Sequence, residues 1–98
     1  MEKNGINPKV IMEIRELAYK YHMKKVVLFG SRARGDFREK SDIDLAAIGD
    51  DFTHFALAVD DETSTLLEFD VVNLSKKVSE ELLESIEKEG ITLYEEIS

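Results

Sequence analysis

The stretch formed by residues 26–47, VVLFGSRARGDFREKSDIDLAA, constrains the fold of this 98-residue chain more than any other part of it. Its first four residues are apolar, which is the composition of a short buried strand, and Gly30 and Ser31 follow directly. A second predicted strand carries Asp42 and Asp44, with apolar residues between and after them. Successive side chains of a strand point to opposite faces, so both aspartates are expected on one face and their apolar neighbours on the other.

Two carboxylates on one strand face are unusual, because aspartate is depleted in strand interiors. At roughly 6 Å, and with an effective dielectric constant near 20, two such charges repel by about 3 kcal/mol. A bound cation would reverse the sign of this energy, and Mg²⁺ favours carboxylate oxygens combined with substrate phosphates. The pair Asp42 and Asp44 therefore predicts a divalent metal site, against the plainer alternative of two solvated edge-strand residues.

Gly30 and Ser31 stand where the first of these strands gives way to a predicted helix. The backbone N–H groups and the dipole at a helix start favour an anion, and a glycine lets a phosphate approach the backbone closely. A plain turn with a helix N-cap explains the dipeptide equally well on its own. The informative feature is its fixed spacing to the two aspartates.

The pattern Gly30-Ser31, ten residues, then Asp42-x-Asp44 resembles the signature of the nucleotidyltransferase superfamily to which DNA polymerase beta belongs. At ordinary residue frequencies, four such fixed positions match by chance in about one chain of this size in a thousand. The surrounding GSRARGDFREKSDIDLA is similar to one branch, the minimal nucleotidyltransferases, small prokaryotic proteins often encoded beside a HEPN-domain partner. The resemblance covers most of the chain and implies an α+β fold like the palm of DNA polymerase beta, with a small mixed sheet.

Hydrophobic patterning along the chain predicts the element order αβαβαβα, followed by a short last strand or an extended tail. The length allows a single domain over residues 1–98 and no second one. The last helix is predicted to turn Leu82, Leu83 and Ile86 toward the core. The sequence has no cysteine, no apolar run of membrane-spanning length and no signal-peptide pattern, so a cytoplasmic location without membrane partners is expected.

The third predicted strand, residues 66–72, adds another carboxylate to the candidate site. Its apolar residues alternate onto one face, which leaves Glu68 and Asp70 on the other. By similarity to the superfamily, the third carboxylate is assigned to Asp70, with Glu68 as its competitor and a solvated edge-strand residue as the alternative. The resemblance thus implies Asp42, Asp44 and Asp70 as both catalytic and metal-binding residues.

The charge of the chain is unevenly distributed around the Gly-Ser turn. The net charge of −8 argues against a general nucleic-acid binder. Residues 24–40 nevertheless contain six basic and two acidic side chains, so this segment is +4 and the remainder is −12. A local positive patch suits a triphosphate. Arg32, which directly follows the turn, is predicted to bind the nucleotide together with Gly30 and Ser31, whereas a solvated helix face is an equal alternative for Arg34 and Arg38.

The resemblance implies an enzyme that moves a nucleotide, most simply AMP from ATP, to a hydroxyl acceptor with one or two Mg²⁺ ions. Larger relatives carry an additional acceptor-binding domain for which this chain has no room. The family therefore implies a protein acceptor, a tyrosine of a HEPN ribonuclease toxin, which this chain would neutralise as its antitoxin. Two alternatives remain open: a non-catalytic antitoxin that sequesters its partner, and the catalytic subunit of a two-chain small-molecule transferase of the antibiotic-modifying type.

Overall fold

The computed structural model describes residues 4–97, in which four helices alternate with four strands. The helices are α1 (Pro8–Lys20), α2 (Ser31–Arg34), α3 (Phe52–Glu62) and α4 (Glu80–Glu89). The strands are β1 (Met23–Phe29), β2 (Ile43–Gly49), β3 (Phe69–Asn73) and β4 (Ile91–Glu95). The predicted alternation is confirmed, and the last predicted segment is a strand. Residues 1–3 and 98 of the predicted domain lie outside the described residues.

Three of the helices begin where the sequence offers a capping side chain. Asn7 Oδ1 accepts a hydrogen bond of 2.9 Å from the backbone N–H of Lys9, and proline occupies the first helical position of α1. Asp51 and Ser79 cap α3 and α4 in the same way. The short helix α2 differs, because its N-cap residue is Gly30 and no side chain caps it. Among residues 4–97, no helix has the length and apolar character needed to cross a membrane.

The four strands form one mixed sheet in the order β3-β2-β1-β4. Strand β1 pairs antiparallel with β2 and β4, whereas β2 and β3 are parallel. Because β1 and β2 run in opposite directions, the end of β1 lies beside the start of β2, with Phe29 opposite Asp44. The parallel register of β3 places Asp70 opposite Asp44 on the other side. The loop after β1 and the starts of β2 and β3 therefore meet at one end of the sheet.

Helices cover both faces of this sheet. Helices α1 and α3 pack on one face, over the larger core cluster, to which Ile43 and Leu45 of β2 belong. Helix α4 packs on the other face, where Ile86 joins a smaller cluster with Ala46. Because side chains alternate along β2, Asp44 lies on the α4 face with Ala46, away from the larger core. The two-residue period of the sequence thus decides which side of the sheet holds the candidate site.

Two predictions about the second half of the chain are wrong. Strand β3 begins at Phe69 instead of Leu66, because Thr65 Oγ1 accepts a hydrogen bond of 3.0 Å from the Leu67 backbone N–H and closes a local turn. Leu66 is consequently fully exposed. Leu83, predicted to lie in the core, is 39 % exposed, since α4 turns its other apolar residues toward the sheet.

Candidate active site

Asp44 lies at the centre of the candidate site. Its neighbours across the sheet are Phe29 of β1 and Asp70 of β3. Gly30 directly follows Phe29, and Asp42 lies on the exposed approach to β2. The sheet therefore brings the three predicted carboxylates and the predicted glycine together, although they come from three separate segments of the chain.

Gly30 provides the space that the Asp44 carboxylate occupies. A Cβ atom on Gly30 would overlap Asp44 Oδ2 and would lie 3.1 Å from Asp44 Cγ. The backbone φ of Gly30 is 75°, which lies in the left-handed region that side chains disfavour. Both the backbone conformation and the neighbouring carboxylate therefore require a glycine at this position.

Asp44 is a carboxylate surrounded by like charge. Burial raises the pKa of Asp44, and the nearby carboxylates of Asp70 and Asp42 raise it further. Arg34 acts in the opposite direction, since its positive charge favours the ionised form. Asp42 and Asp70 themselves are exposed. A cation bound beside Asp44 would relieve the repulsion that these groups now exert on one another.

The three aspartates supply the oxygen ligands that Mg²⁺ prefers. Within residues 4–97, no three His, Cys, Asp or Glu side chains are already gathered closely enough to hold a metal ion. The charges of both other aspartates nevertheless raise the pKa of Asp44, so both lie close enough to act on it. The three aspartates thus have the oxygen donors that suit Mg²⁺. Their side chains lie farther apart than the ligands of a bound ion.

Glu68 lies apart from these aspartates. Its backbone carbonyl accepts a hydrogen bond of 2.9 Å from the Ile43 N–H, which aligns residue 68 with the start of β2. Its side chain is exposed and lines a groove beside Asp42. The charges that shift the pKa of Asp44 include Asp70 but not Glu68. This arrangement favours Asp70 over Glu68 as the third carboxylate.

The Arg32 side chain is directed at protein backbone. It is 2 % exposed, and burial lowers the pKa of its guanidinium. The guanidinium donates hydrogen bonds to the backbone carbonyls of Asn4 (3.0 Å), Glu39 (3.2 Å) and Ser41 (2.9 and 3.0 Å), and it lies 4.8 Å from the centre of the Phe37 ring. Arg32 therefore ties the loop before β2 to the N-terminal segment, and its predicted contact with a nucleotide stays a prediction.

Arg34 is a basic residue whose charge acts on Asp44, and the sequence left it equally between a functional role and a solvated helix face. Its side chain is 42 % exposed and donates hydrogen bonds to Asp36 at 3.2 Å and to Glu89 at 3.1 Å. The available sequence signal is that Arg34 follows Ser31 by three residues, which places both on one side of a helix. The partner Glu89, at the end of α4, is 55 positions away, so no local pattern indicates this pairing.

The alternating fold, with a Gly-Ser turn and aspartates at one end of a mixed sheet, defines a class of nucleotide-transferring proteins. The family model described as polymerase beta, nucleotidyltransferase, matches residues 12–97. This chain belongs to that family.

A curated relative comes from Methanocaldococcus jannaschii and is named as a candidate protein adenylyltransferase. The two sequences are 45 % identical over 64 residues. This alignment covers 65 % of the present chain and 62 % of the relative, so the chain spans less than two thirds of that protein's length.

Solved structures share the fold at low sequence identity. A chain of a toxin–antitoxin crystal structure with AMP-PNP superposes with a TM-score of 0.68 at 22 % identity, over 88 % of this chain and 73 % of the other. A mutant of the toxin–antitoxin pair MntA–HpeT gives a TM-score of 0.70 at 20 % identity, over 93 % and 75 %. These likenesses confirm the predicted α+β nucleotidyltransferase fold.

Proposed function

We propose that this chain is a Mg²⁺-dependent nucleotidyltransferase that transfers AMP from ATP to a hydroxyl group. The observation that carries the proposal is Asp44, a partly buried carboxylate with a raised pKa, close to Gly30 and coupled to Asp42 and Asp70. Such crowding of like charge adds no stability to the folded chain. When a cation and a phosphate are bound, the same carboxylates attract the cation, and the arrangement becomes favourable. The family membership and the name of the curated relative support the same reaction.

The three aspartates, the turn at Gly30 and Arg34 each have a defined task in this reaction. Asp42, Asp44 and Asp70 would hold Mg²⁺, which when bound lowers the pKa of the attacking hydroxyl and stabilises the pyrophosphate leaving group. The backbone around Gly30 receives the terminal phosphates, because no Cβ stands between a phosphate oxygen and the N–H groups. Arg34, whose charge already acts on Asp44, offers a guanidinium to the same phosphates.

The acceptor oxygen attacks the α-phosphorus of ATP. A new P–O bond forms while the bond from the α-phosphorus to the bridging oxygen breaks, and the bonding electrons leave with pyrophosphate. The proton of the acceptor hydroxyl passes to a carboxylate, and Asp70 is the candidate because it is exposed and lies opposite Asp44. Asp44 is less suited to accept this proton than Asp70, since Asp44 is enclosed by the sheet and by Gly30.

The acceptor in this proposal is a protein, namely a tyrosine of a HEPN-type toxin that the chain neutralises as its antitoxin in the cytoplasm. The curated relative is named as a candidate protein adenylyltransferase, and the two superposed structures come from toxin–antitoxin pairs. The AMP-PNP in one of them supports ATP as the nucleotide. The net charge of −8 also suits a protein acceptor better than a nucleic acid.

Intact-mass spectrometry tests the reaction directly. The purified chain is incubated with Mg²⁺, ATP and the product of the adjacent gene, and the masses of both proteins are followed. The partner is expected to gain one or more AMP units with the natural sequence and none with Asp42→Asn/Asp44→Asn. If the partner gains no mass, and the double variant forms a stable complex with it equally well, the chain is instead a non-catalytic antitoxin that sequesters its partner. AMP transfer to an aminoglycoside alone would identify a small-molecule transferase.

Replacing Gly30 by alanine is expected to lower AMP transfer about 100-fold, because a displaced Asp44 misplaces the reacting groups. Gly35→Ala is the matched control. Both glycines have positive φ, but Gly35 (ψ 3°) is in the left-handed helical region, where alanine costs roughly 1–2 kcal/mol, whereas Gly30 (ψ −156°) is in a region that glycine alone adopts readily. A Cβ on Gly35 has nothing within 4 Å, whereas one on Gly30 meets Asp44. Urea unfolding measures the strain in each variant, so that a rate loss can be compared with the loss of stability, and equal transfer rates in the two variants would show that Gly30 does not position Asp44.

A further inference from the structure

A groove of about 800 Å³ opens beside Asp42. Its walls come from three segments: residues 5–10 at the start of α1, the loop before β2, and residues 64–68 before β3. Asp42 belongs both to this wall and to the group of aspartates around Asp44. The groove therefore borders directly on the candidate active site, and no step of the reaction described above uses it.

The loop that forms the outer wall of the groove is held firmly by hydrogen bonds. Glu13 of α1 accepts one from the backbone N–H of Ser64 at 2.8 Å and another from its hydroxyl at 2.7 Å. The Thr63 hydroxyl donates a hydrogen bond of 2.7 Å to the Val59 carbonyl at the end of α3. This ordered loop nevertheless leaves Leu66 fully exposed at the groove. An exposed apolar side chain on an ordered loop beside Asp42 is available to a binding partner.

Arg32 shapes the opposite side of the groove. Its guanidinium joins the carbonyl of Asn4, next to the α1 wall, to the carbonyls of Glu39 and Ser41 in the loop before β2. One buried cation therefore sets the distance between two of the three walls. Hydrogen bonds to the backbone therefore hold two walls of the groove in place, and they help to set its width.

The position of the groove relative to the reaction indicates what it binds. The proposed phosphate site at Gly30 follows β1, on one side of β2, whereas residues 64–68 precede β3, on the other side. Displacement at phosphorus requires the attacking and leaving oxygens to lie roughly in line. With pyrophosphate leaving on the β1 side, the attacking hydroxyl would arrive from the β3 side, where one wall of the groove, residues 64–68, lies.

The charges around the groove argue against a polyphosphate in it. Lys9 and Lys40 face three carboxylates, Glu39, Asp42 and Glu68, so these side chains sum to −1. This balance gives a triphosphate no net attraction, whereas a polypeptide can place side chains of either sign along such a rim. The apolar parts of the walls suit an aromatic side chain.

We propose that this groove is the acceptor site, which binds a protein segment and presents its tyrosine hydroxyl to the α-phosphorus beside Asp42. The inference rests on the proposed nucleotidyl transfer and adds where the acceptor docks. In this site the partner segment covers Leu66, and the tyrosine lies between the residue 64–68 loop and the start of α1.

The test compares Leu66→Ser with Leu57→Ser, using the product of the adjacent gene as the acceptor. Both leucines are exposed (103 % and 60 %), and Leu57 lies on α3 and does not line the groove, so neither change should affect folding. We expect Leu66→Ser to raise the KM for the acceptor protein about tenfold, because it removes one leucine from a buried contact. The Kd for ATP, measured by titration calorimetry, should stay unchanged, and Leu57→Ser should resemble the natural sequence.

The possible outcomes separate this inference from the proposed function. An unchanged acceptor KM in Leu66→Ser, with normal AMP transfer, would overturn the acceptor site and leave the nucleotidyltransferase intact. A weaker Kd for ATP in Leu66→Ser, with an unchanged acceptor KM, would assign the groove to the nucleoside and also overturn the inference. Absence of any transfer by the natural sequence would remove the proposed function, and the acceptor site with it.

Discussion

Asparagine in place of Asp44 is expected to lower nucleotidyl transfer about 1,000-fold and at the same time to raise the Tm of the chain. The loss of activity follows because the metal would lose its central carboxylate, and stabilisation by a metal contributes several kcal/mol to the transition state. The gain in stability follows because the neutral amide no longer repels Asp70 and Asp42 or carries a partly buried charge. Initial rates by intact mass and thermal unfolding measure the two effects.

The pH dependence of stability gives the same prediction an independent readout. The folded pKa of Asp44 lies above its unfolded value near 4, so the folded chain binds more protons in the window between them. The free energy of unfolding should therefore fall as pH rises through this window, relative to Asp44→Asn, and remain lower above it. Added Mg²⁺ should recover more stability in the natural sequence than in the variant.

Asp50→Asn serves as the control, since Asp50 is an exposed turn residue away from the aspartates. It should change neither the transfer rate nor the pH profile. A lower Tm for Asp44→Asn than for the natural sequence at pH 7, without Mg²⁺, would contradict the view that Asp44 is held at the expense of stability.

Alanine in place of Arg32 is expected to lower the free energy of unfolding by about 3 kcal/mol, because hydrogen bonds to a charged donor are lost and acceptors remain unpaired. The carbonyls of Asn4, Glu39 and Ser41 lose the guanidinium that joins them. Arg32→Lys should recover little of this loss, since one ammonium group cannot reproduce the planar fork. Urea unfolding monitored by circular dichroism measures both changes.

Arg34→Ala is the matched control on the same helix. Its ion pairs with the exposed Asp36 and the half-buried Glu89 are open to solvent at Arg34, and such pairs contribute about 0–1 kcal/mol. Arg34→Ala should therefore fold normally and lose affinity for ATP, whereas the main effect of Arg32→Ala should be a lower free energy of unfolding. Normal stability of Arg32→Ala combined with weak ATP binding would instead support the sequence-based prediction that Arg32 contacts the nucleotide.

The sequence predicted those parts of the site that depend on local periodicity. The alternation of Asp44 with apolar residues assigns it to one face of β2, because side chains alternate along any strand, and Asp42 directly precedes the strand. The Asn7 cap and the following proline predict the start of α1 for a similarly local reason, namely that they satisfy or remove the first free N–H groups.

Local rules were insufficient where a hydrogen bond within a loop competed with strand pairing. Residues 66–68 have the composition of a strand, but the Thr65 hydroxyl accepts a hydrogen bond from the Leu67 N–H, and β3 begins only at Phe69. The result is an exposed Leu66 beside the candidate active site instead of a buried strand residue. Composition describes how well a segment suits a strand, and only the complete chain decides which partner each N–H finds.

Contacts between distant segments were decided by the tertiary structure alone. The parallel register that sets Asp70 opposite Asp44, and the link from Arg34 to Glu89, join segments with no shared local pattern. Arg32 carries a charge that in the sequence indicates an anion site, yet the fold surrounds it with backbone carbonyls. The sequence by itself determined which chemical groups are present and which strand face holds them, because both follow from neighbouring residues. Their distances, burial and pKa depend on packing between segments, and packing exists only in the folded chain.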